Sequence, residues 1–415
     1  MSVRSEAPGE TLNPRVRTLH RDRPPRLFLA ALRAAGRGWQ KGALTLVHPD
    51  GTSETFGDPA TGPHGVLRVR DWAFAKRALS EGDIGVAESY VAGEWDTPHL
   101  ADLLTTLADN FDRLKRLAVG APLMRAVNFF KHILFRSNSP RQAKRNIHAH
   151  YDLGNAFYSA WLDPSMTYSS ALFAAGDETL QLAQENKYRA LADAMGLEPG
   201  MKVLEIGCGW GGFAEYAAAA RGAEVVGLTI SQAQLDFARA RIERQGLADR
   251  VDLRFEDYRA TRGAYDRIAS IEMFEAVGEQ YWPDYFRTLR DRLNATGRAA
   301  LQIITIDHRF FDRYRKRVDF IQQHIFPGGM LISEERLAEE AGRVGLAIGG
   351  VRRFGEDYAR TLALWAQRFD AAWETLRKQG FDEEFRRLWR FYLAYCEAGF
   401  RTGRTNVIQV VLEPV

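Results

Sequence analysis

The sequence predicts an α/β protein built from a Rossmann-like, doubly wound parallel sheet and a small amino-terminal α/β domain. Three observations support this fold class. A short apolar run at 202–206 leads into a glycine-rich turn where a helix can begin. Apolar runs and helical segments alternate after that turn. The residues up to 112 carry a separate set of shorter elements.

Length and composition suit a globular protein of two domains, because the chain has 415 residues, of which 46% are hydrophobic and 26% charged. No apolar stretch approaches the roughly 18 residues of a membrane-spanning helix. Residues 1–25 contain proline and arginine without a hydrophobic segment, which predicts a disordered tail and neither a secretory signal nor an anchor. Cys208 and Cys396 form neither a disulfide framework nor metal-ligand spacing, so we expect no metal and a reducing, cytoplasmic location.

Residues 26–112 form the predicted small domain. A helix is expected over 27–35, strands over 43–48 and 66–69, and a further helix after Asp71, whose carboxylate can cap it. This unit contains no nucleophile, metal cluster or phosphate loop, so we expect it to carry no chemistry of its own.

Residues 113–145 contain no acidic residue, and their lysines and arginines alternate with leucines and phenylalanines. Such a basic amphipathic linker can lie on an anionic lipid surface. It can equally be a helix that packs its apolar face on a neighbouring domain, and the sequence leaves both interpretations open. Nucleic acid is not expected as a partner, because no recognised nucleic-acid module accompanies the charge.

The larger domain is predicted over 146–415. Its strands alternate with helices, which places ligands at the carboxyl ends of parallel strands. The segment 406–412 is a strong β candidate that can pair with 348–352 and close the sheet. The other predicted strands are 202–206, 224–228, 251–255, 267–270 and 299–304, with helices beginning at 232 and spanning 281–293.

The most informative segment reads Val203-Leu204-Glu205-Ile206-Gly207-Cys208-Gly209-Trp210-Gly211-Gly212. Its glycines let the backbone approach a bound nucleotide, and Glu205 offers a carboxylate near the end of the strand. A pyrophosphate-binding turn rarely contains a tryptophan, and the next strand ends in Thr229 without the acid expected for the ribose of NAD. The segment therefore favours S-adenosylmethionine over a nicotinamide cofactor or a purely structural turn.

Several further motifs occur in order along the chain, and together they resemble the cyclopropane-fatty-acyl-phospholipid synthase and mycolic acid cyclopropane synthase family. The resemblance spans about 146–412 and implies a methyltransferase sheet. The amino-terminal unit, with Gly93-Glu94-Trp95-Asp96, further resembles the phospholipid-acting bacterial enzymes, so 26–112 is expected to be a lipid-associated domain. The motifs are His150-Tyr151-Asp152-Leu153-Gly154-Asn155, Met166-Thr167-Tyr168-Ser169-Ser170-Ala171, Gly227-Leu228-Thr229-Ile230-Ser231, Met273-Phe274-Glu275, Ile325-Phe326-Pro327-Gly328-Gly329 and Phe400-Arg401.

The resemblance also implies the cofactor-binding residues. Tyr168, Ser169 and the loop with Gly207, Gly209, Gly211 and Gly212 would hold the methionine end of S-adenosylmethionine. Thr229 and Gln234 match positions near the ribose, and Asp257 and Tyr258 match the segment that packs on the adenine. Aromatic faces of Tyr168 and Trp210 can attract the sulfonium, although Trp210 is equally explained by core packing.

By the same resemblance, the reaction is one-carbon transfer to the cis double bond of an unsaturated phospholipid chain. Closing a cyclopropane ring requires a base that removes a proton from the added methyl group. In the family that base is a bicarbonate, held by a glutamate, a histidine, a tyrosine and backbone amides. Glu275 and Tyr358 are kept in this sequence.

Three departures affect that site. Ser170 replaces a cysteine, while Ala276 and Ile304 replace histidines, the latter before Thr305-Ile306. Gln302 lies on the same strand face as Ile304, but an amide cannot carry a proton as histidine does. Ser170, Gln302, Ile304 and Ile306 are therefore expected at the reaction centre, with bicarbonate bound weakly or differently. The sequence favours a cyclopropane product and leaves open a methylene or methyl-branched chain formed without ring closure.

The insertion at 308–330 is rich in aromatic and basic residues, which suits an acyl tunnel with phosphate groups at its mouth, or a charged helix with one buried face. We expect a cytoplasmic enzyme on the inner face of an anionic membrane, with homodimer formation left open. Competing interpretations are a small-molecule methyltransferase and a non-catalytic lipid-binding protein. The first would not need the amino-terminal unit, and the second could lose the glycine loop, which is intact.

Overall fold

The computed structural model of the protein describes residues 25–110 and 153–415. The expected tail at 1–25, except for Pro25, and the basic stretch 113–145 lie outside the described residues. No helix in the described part of the chain is long and apolar enough to cross a membrane.

The amino-terminal domain has a four-stranded sheet in the order β2-β1-β3-β4, with β1 and β3 parallel. The predicted helix and two strands are confirmed, and the Asp71 carboxylate accepts a hydrogen bond from the Ala73 amide at 2.8 Å, as a cap would. The elements are α1 (Arg26–Gly36), β1 (Ala43–Val47), β2 (Ser53–Gly57), a 3-10 turn (Pro59–Thr61), β3 (His64–Val69), α2 (Ala73–Glu81), α3 (Asp83–Val91), β4 (Trp95–Asp96) and α4 (Leu100–Asp109).

The larger domain contains seven strands and ten α-helices within the described residues. In chain order they are α5 (Gly154–Trp161), α6 (Leu180–Ala194), β5 (Lys202–Ile206), α7 (Gly212–Arg221), β6 (Glu224–Thr229), α8 (Gln232–Arg244), β7 (Val251–Phe255), β8 (Tyr265–Ile271), 3-10 turns (Phe274–Ala276 and Glu279–Tyr281), α9 (Trp282–Arg292), β9 (Leu293–Ile306), α10 (His308–Tyr314), α11 (Phe320–His324), α12 (Glu334–Arg343), β10 (Leu346–Arg353), α13 (Gly355–Lys378), α14 (Glu383–Arg401) and β11 (Thr405–Pro414).

The seven strands form one sheet in the order β10-β11-β9-β8-β5-β6-β7. The chain winds outward from β5 to β7 and then returns to the other side of β5 through β8, so the switch point of the doubly wound sheet lies between β5 and β8. Ligands bind at such a point, beyond the carboxyl ends of the strands. The expected pairing of β11 with β10 is confirmed, with Ile348 opposite Leu412, and β11 also pairs antiparallel with β9.

Helices cover both faces of the sheet. Successive residues of a strand point to opposite faces, so both sets of side chains of the central strands are buried. Val203 of β5 packs with Phe213 and Leu235 on the side of α7 and α8. Leu204 packs on the other side with Trp282 of α9 and Leu337 of α12. Burial on both faces explains why the central strands are mainly apolar.

Helices α13 and α14 pack together over a cluster of aromatic rings. The cluster continues into the amino-terminal domain, so the two domains share one apolar core. Helix α14 therefore forms a wall common to both domains. The rings of the aromatic cluster include Phe157, Trp161, Trp365, Phe369 and Trp389.

Candidate active site

The glycine-rich turn joins β5 to α7 as expected, and two of its glycines leave no room for a side chain. Gly207 and Gly209 have φ angles of 83° and 52°, a region that favours glycine. A Cβ atom on Gly207 would lie 2.6 Å from Met273 Cγ, and one on Gly212 would lie 2.5 Å from the Tyr188 hydroxyl. Gly211 precedes the first turn of α7 with φ 81°. The loop borders a cavity of about 1040 Å³ that most of the other candidate residues also line.

Glu205 meets the requirement for a group that receives a cationic cofactor. Its side chain is 2% exposed, and burial raises the pKa of its carboxyl to about 8. The Ala214 amide donates to the carboxylate, while Oε2 has no hydrogen-bond partner among residues 25–110 and 153–415. A buried acceptor left without a partner is costly, and the cationic methionine end of S-adenosylmethionine would satisfy it. The residues present fit this cofactor.

The expected ribose and adenine residues also line the cavity. The Thr229 hydroxyl lies 3.2 Å from Gln234 Oε1 and accepts a hydrogen bond from the Ser231 amide. The Asp257 carboxylate is held by Arg259, with Nη2 2.6 Å from Oδ2. Tyr258 is nearly buried beside this pair.

Tyr168 and Ser169 are fixed from two directions. The Tyr168 hydroxyl lies 2.7 Å from that of Tyr392 on α14. Lys187 on α6 is completely buried and donates to Ser169 Oγ at 2.6 Å, while Gln184 donates to the Ser169 carbonyl. Burial lowers the pKa of the Lys187 amine to about 7. The segment that the resemblance assigns to the methionine end is therefore held rigidly.

Trp210 serves packing and lines the cavity at once. Its indole nitrogen donates to Asn155 Oδ1 at 2.8 Å, and its ring centroid lies 5.1 Å from that of Tyr158. Both interpretations of this residue therefore agree with its position.

The polar centre of the cavity is Glu272, which the sequence did not single out. Its Oε1 accepts hydrogen bonds from the Ser170 amide and Gln302 Nε2, both at 2.8 Å, and its Oε2 accepts one from the Tyr358 hydroxyl at 2.6 Å. Burial raises the pKa of this carboxyl, and the three donors together with the Lys187 charge oppose that effect. All three hydrogen-bond partners of Glu272 are donors, an arrangement that suits the carboxylate form, and the residue lines the cavity.

Glu275 also lines the cavity, but it has a different environment. Its Oε1 accepts a hydrogen bond from the Ile304 amide at 2.5 Å, and Oε2 is buried without a hydrogen-bond partner in the described part of the chain. Burial, reinforced by the negative charge of Glu272, raises the pKa of its carboxyl to about 8. Glu275 is thus mainly protonated at pH 7, whereas the three donors around Glu272 favour its carboxylate form.

The remaining expected residues meet around these two carboxyl groups. Gln302 is completely buried, and its amide also contacts the Ser170 carbonyl at 3.3 Å and Gln409 at 3.2 Å. The side chains of Ile304 and Ile306 line the cavity, as do those of Tyr358 and Cys396. The structure thus brings all the predicted catalytic residues together, with Gln302 acting as a support for Glu272.

Bicarbonate does not fit this donor set. The resemblance assigns it backbone amides, a tyrosine, a glutamate and a histidine, but the Ser170 amide and the Tyr358 hydroxyl already donate to Glu272. Ile304 and Ala276 supply no imidazole. A second anion beside Glu272 would also be repelled by its charge.

The insertion contributes both charge and apolar surface. Arg309 pairs with Asp307, and Arg315 pairs with Glu279 at 2.5 Å, so these two arginines have partners within the protein. Phe320 is buried in the core. The basic residues of the insertion that line the cavity are Arg313, Lys316 and Arg317.

Comparison with known proteins agrees with the site. A family model described as mycolic acid cyclopropane synthetase matches residues 138–410. The chain is 40% identical over 384 residues to tuberculostearic acid methyltransferase UfaA1 of Mycobacterium tuberculosis, covering 89% of this chain and 87% of that protein. It is 36% identical over 355 residues to the cyclopropane-fatty-acyl-phospholipid synthase of Escherichia coli, covering 83% and 87%.

Solved structures lead to the same family. Mycolic acid cyclopropane synthase CmaA1, complexed with SAH and CTAB, is 32% identical with a TM-score of 0.61, covering 65% of this chain and 97% of that one. The fold class, the resemblance noted in the motifs and the dependence on S-adenosylmethionine are confirmed. The chain is an S-adenosylmethionine-dependent methyltransferase of the cyclopropane-fatty-acyl synthase type, and it belongs to the mycolic acid cyclopropane synthetase family.

Proposed function

We propose that the enzyme transfers a methyl group to the cis double bond of an unsaturated acyl chain in a membrane phospholipid, and that Glu272 accepts the proton released as the product forms. The observation that carries this proposal is the Glu272 carboxylate, held by three donors in the same cavity as the glycine loop. One-carbon transfer to unsaturated fatty acyl chains is supported by the family. The phospholipid substrate is supported by the relative from Escherichia coli.

When bound, S-adenosylmethionine supplies an electrophilic methyl group on a sulfonium. An isolated double bond is a weak nucleophile, so the protein must hold it against that methyl group in a cavity that excludes water. Addition of the methyl group leaves a positive charge on the neighbouring chain carbon. Glu272 and the aromatic faces of Tyr168, Tyr358 and Phe400 line the cavity and can stabilise that charge.

The environment of Glu272 favours a product without a ring. Ring closure requires a base to take a proton from the new methyl group before the carbocation rearranges. The three hydrogen bonds to Glu272 stabilise its carboxylate form and so make it a weaker base, which slows the step. A hydride shift from the methyl-bearing carbon needs no base. Proton loss from the methyl group to Glu272 after that shift gives a methylene-branched chain.

A cyclopropane ring is the second candidate product, because Glu272 could also take the methyl proton before the shift. The activities for which the relatives are named divide in the same way. The one from Mycobacterium tuberculosis, 40% identical, is a methyltransferase, whereas the one from Escherichia coli, 36% identical, is a cyclopropane synthase. The absence of an imidazole at Ala276 and Ile304 supports the branched product.

We also propose that the enzyme works on the cytoplasmic face of an anionic membrane. The basic stretch 113–145 and the cavity-lining charges of the insertion support this location.

The proposal is tested by incubating the purified protein with S-adenosylmethionine and vesicles of an oleoyl phosphatidylglycerol. Mass spectrometry should find acyl chains heavier by one methylene unit, and proton NMR should find the olefinic signals of a methylene branch. Cyclopropane signals would instead establish the second candidate. No mass gain with any unsaturated lipid would overturn the proposal.

A further inference from the structure

The cavity extends beyond the candidate active site into the amino-terminal domain. There it is lined mainly by apolar side chains from α1, β1, β3, α2 and α4, with polar residues at the turn 80–83. We call this part the amino-terminal arm. Its apolar lining includes Phe28, Leu32, Leu44, Leu67, Phe74 and Leu103.

The arm is held against the larger domain by specific contacts. Arg387 of α14 donates to the carbonyls of Tyr90 and Trp95, at 2.6 and 2.9 Å. Arg404 donates to the Ala108 carbonyl at 2.7 Å. Backbone acceptors fix the position of one domain on the other, and the arm and the reaction centre belong to one continuous cavity.

Basic residues line the cavity where the insertion bridges the domains, together with the carboxyl groups of Asp83 and Asp319. The Phe320 amide donates to the Asp83 carboxylate, and His324 Nε2 lies 3.2 Å from Glu88 Oε1, so α11 contacts α3 directly. The basic residues that line the cavity come immediately before α11 in the chain. They are Arg313, Lys316 and Arg317.

We propose that the arm binds the second, non-reacting acyl chain of a diacyl phospholipid, with the lipid phosphate beside the basic residues of the insertion. This inference rests on the proposed function and adds the requirement for two chains. An apolar arm matches hydrocarbon, and basic residues between the arm and the reaction centre match a phosphate from which two chains diverge.

Ala78→Phe tests the arm, since Ala78 lines it and is only partly buried. Each methylene displaced from an apolar site weakens binding about fourfold, so displacing two should raise KM about 15-fold. We expect this increase for a diacyl phosphatidylglycerol and no increase for the lysolipid with the same unsaturated chain, both in mixed micelles. Ala92→Phe, at an exposed position in the same domain, is the matched control. The proposal would be overturned if KM rose equally for both lipids, or if KM rose for neither lipid.

A second measurement uses the unmodified protein and does not depend on the variant's folding. A diacyl phosphatidylglycerol with a diazirine at the end of its saturated chain is photolysed in the complex, and the labelled peptides are mapped. We expect label within residues 26–110, and label confined to 153–415 would contradict the arm. Failure of the proposed function looks different, because methyl transfer would then be absent with every unsaturated lipid.

Discussion

Glu272→Gln removes the proton acceptor while preserving its surroundings. The glutamine carbonyl can still accept from the Ser170 amide and Gln302, and its amide can donate to the Tyr358 oxygen, so the fold should be kept. General-base catalysis contributes about 10²–10⁴-fold, or roughly 2.7–5.4 kcal/mol of transition-state stabilisation. We therefore expect kcat/KM on unsaturated vesicles to fall by that factor, with cofactor affinity by calorimetry unchanged.

Glu275→Gln is the matched control, because the raised pKa of about 8 leaves Glu275 neutral at pH 7, as an amide is. Its loss of activity should be much smaller. As pH rises through about 8, Glu275 ionises beside Glu272, so wild-type activity should fall and that of the variant should not. The folded state also binds the extra proton between the ordinary pKa of 4.5 and about 8, so this group makes stability fall as pH rises across that window. Wild-type kcat/KM in Glu272→Gln, or equal losses in both variants, would refute the reasoning.

Three further predictions concern the cofactor and the membrane. Gly209→Val should abolish cofactor binding. Gly246→Val, at a similar φ of 66° outside the cavity, is the control and should bind the cofactor normally. Equal cofactor affinities of the two variants by calorimetry would contradict the assigned loop. Binding of the cationic cofactor at pH 7 should release a proton from Glu205, whose pKa is raised to about 8. Calorimetry in two buffers that differ in ionisation enthalpy should detect this proton release in the wild type and none in Glu205→Gln. Binding to anionic vesicles should weaken as ionic strength rises from about 0.05 to about 0.5 M. Arg317→Gln should bind more weakly than wild type at low salt and depend less on salt, and equal binding to neutral vesicles would oppose this.

The sheet could be predicted because its central strands are short, buried apolar runs bounded by glycine, as at β5 and β6. Strand β2 was missed because Ser53–Gly57 is mostly polar and only partly buried. The long helices α13 and α14 were also missed. Trp365, Phe369 and Trp373 recur every four residues on one face, a helical signal that was available in the sequence.

The cofactor loop was predictable because its residues are contiguous, whereas the centre of the reaction site was not. Glu275 belongs to a familiar motif, but the hydrogen bonds of Glu272 join residues 102 and 86 positions away. Its orientation also depends on a φ of 48°, which is uncommon for a residue with a side chain. Sequence spacing does not encode that backbone conformation. The buried Lys187 did leave a signal, since it lies on the apolar face of α6 with Gln184.

We propose that Glu272 supplies the base for which the resemblance implies a bound bicarbonate. The most direct test is the rate of methyl transfer as bicarbonate is added to depleted buffer, for wild type and for Glu272→Gly. Glycine suits the φ of 48° and leaves the Ser170 amide and the Tyr358 hydroxyl open to a free anion. We predict that the wild-type rate does not change and that the variant is restored by bicarbonate. A wild-type rate that rises with bicarbonate, together with a variant that it does not restore, would contradict the claim.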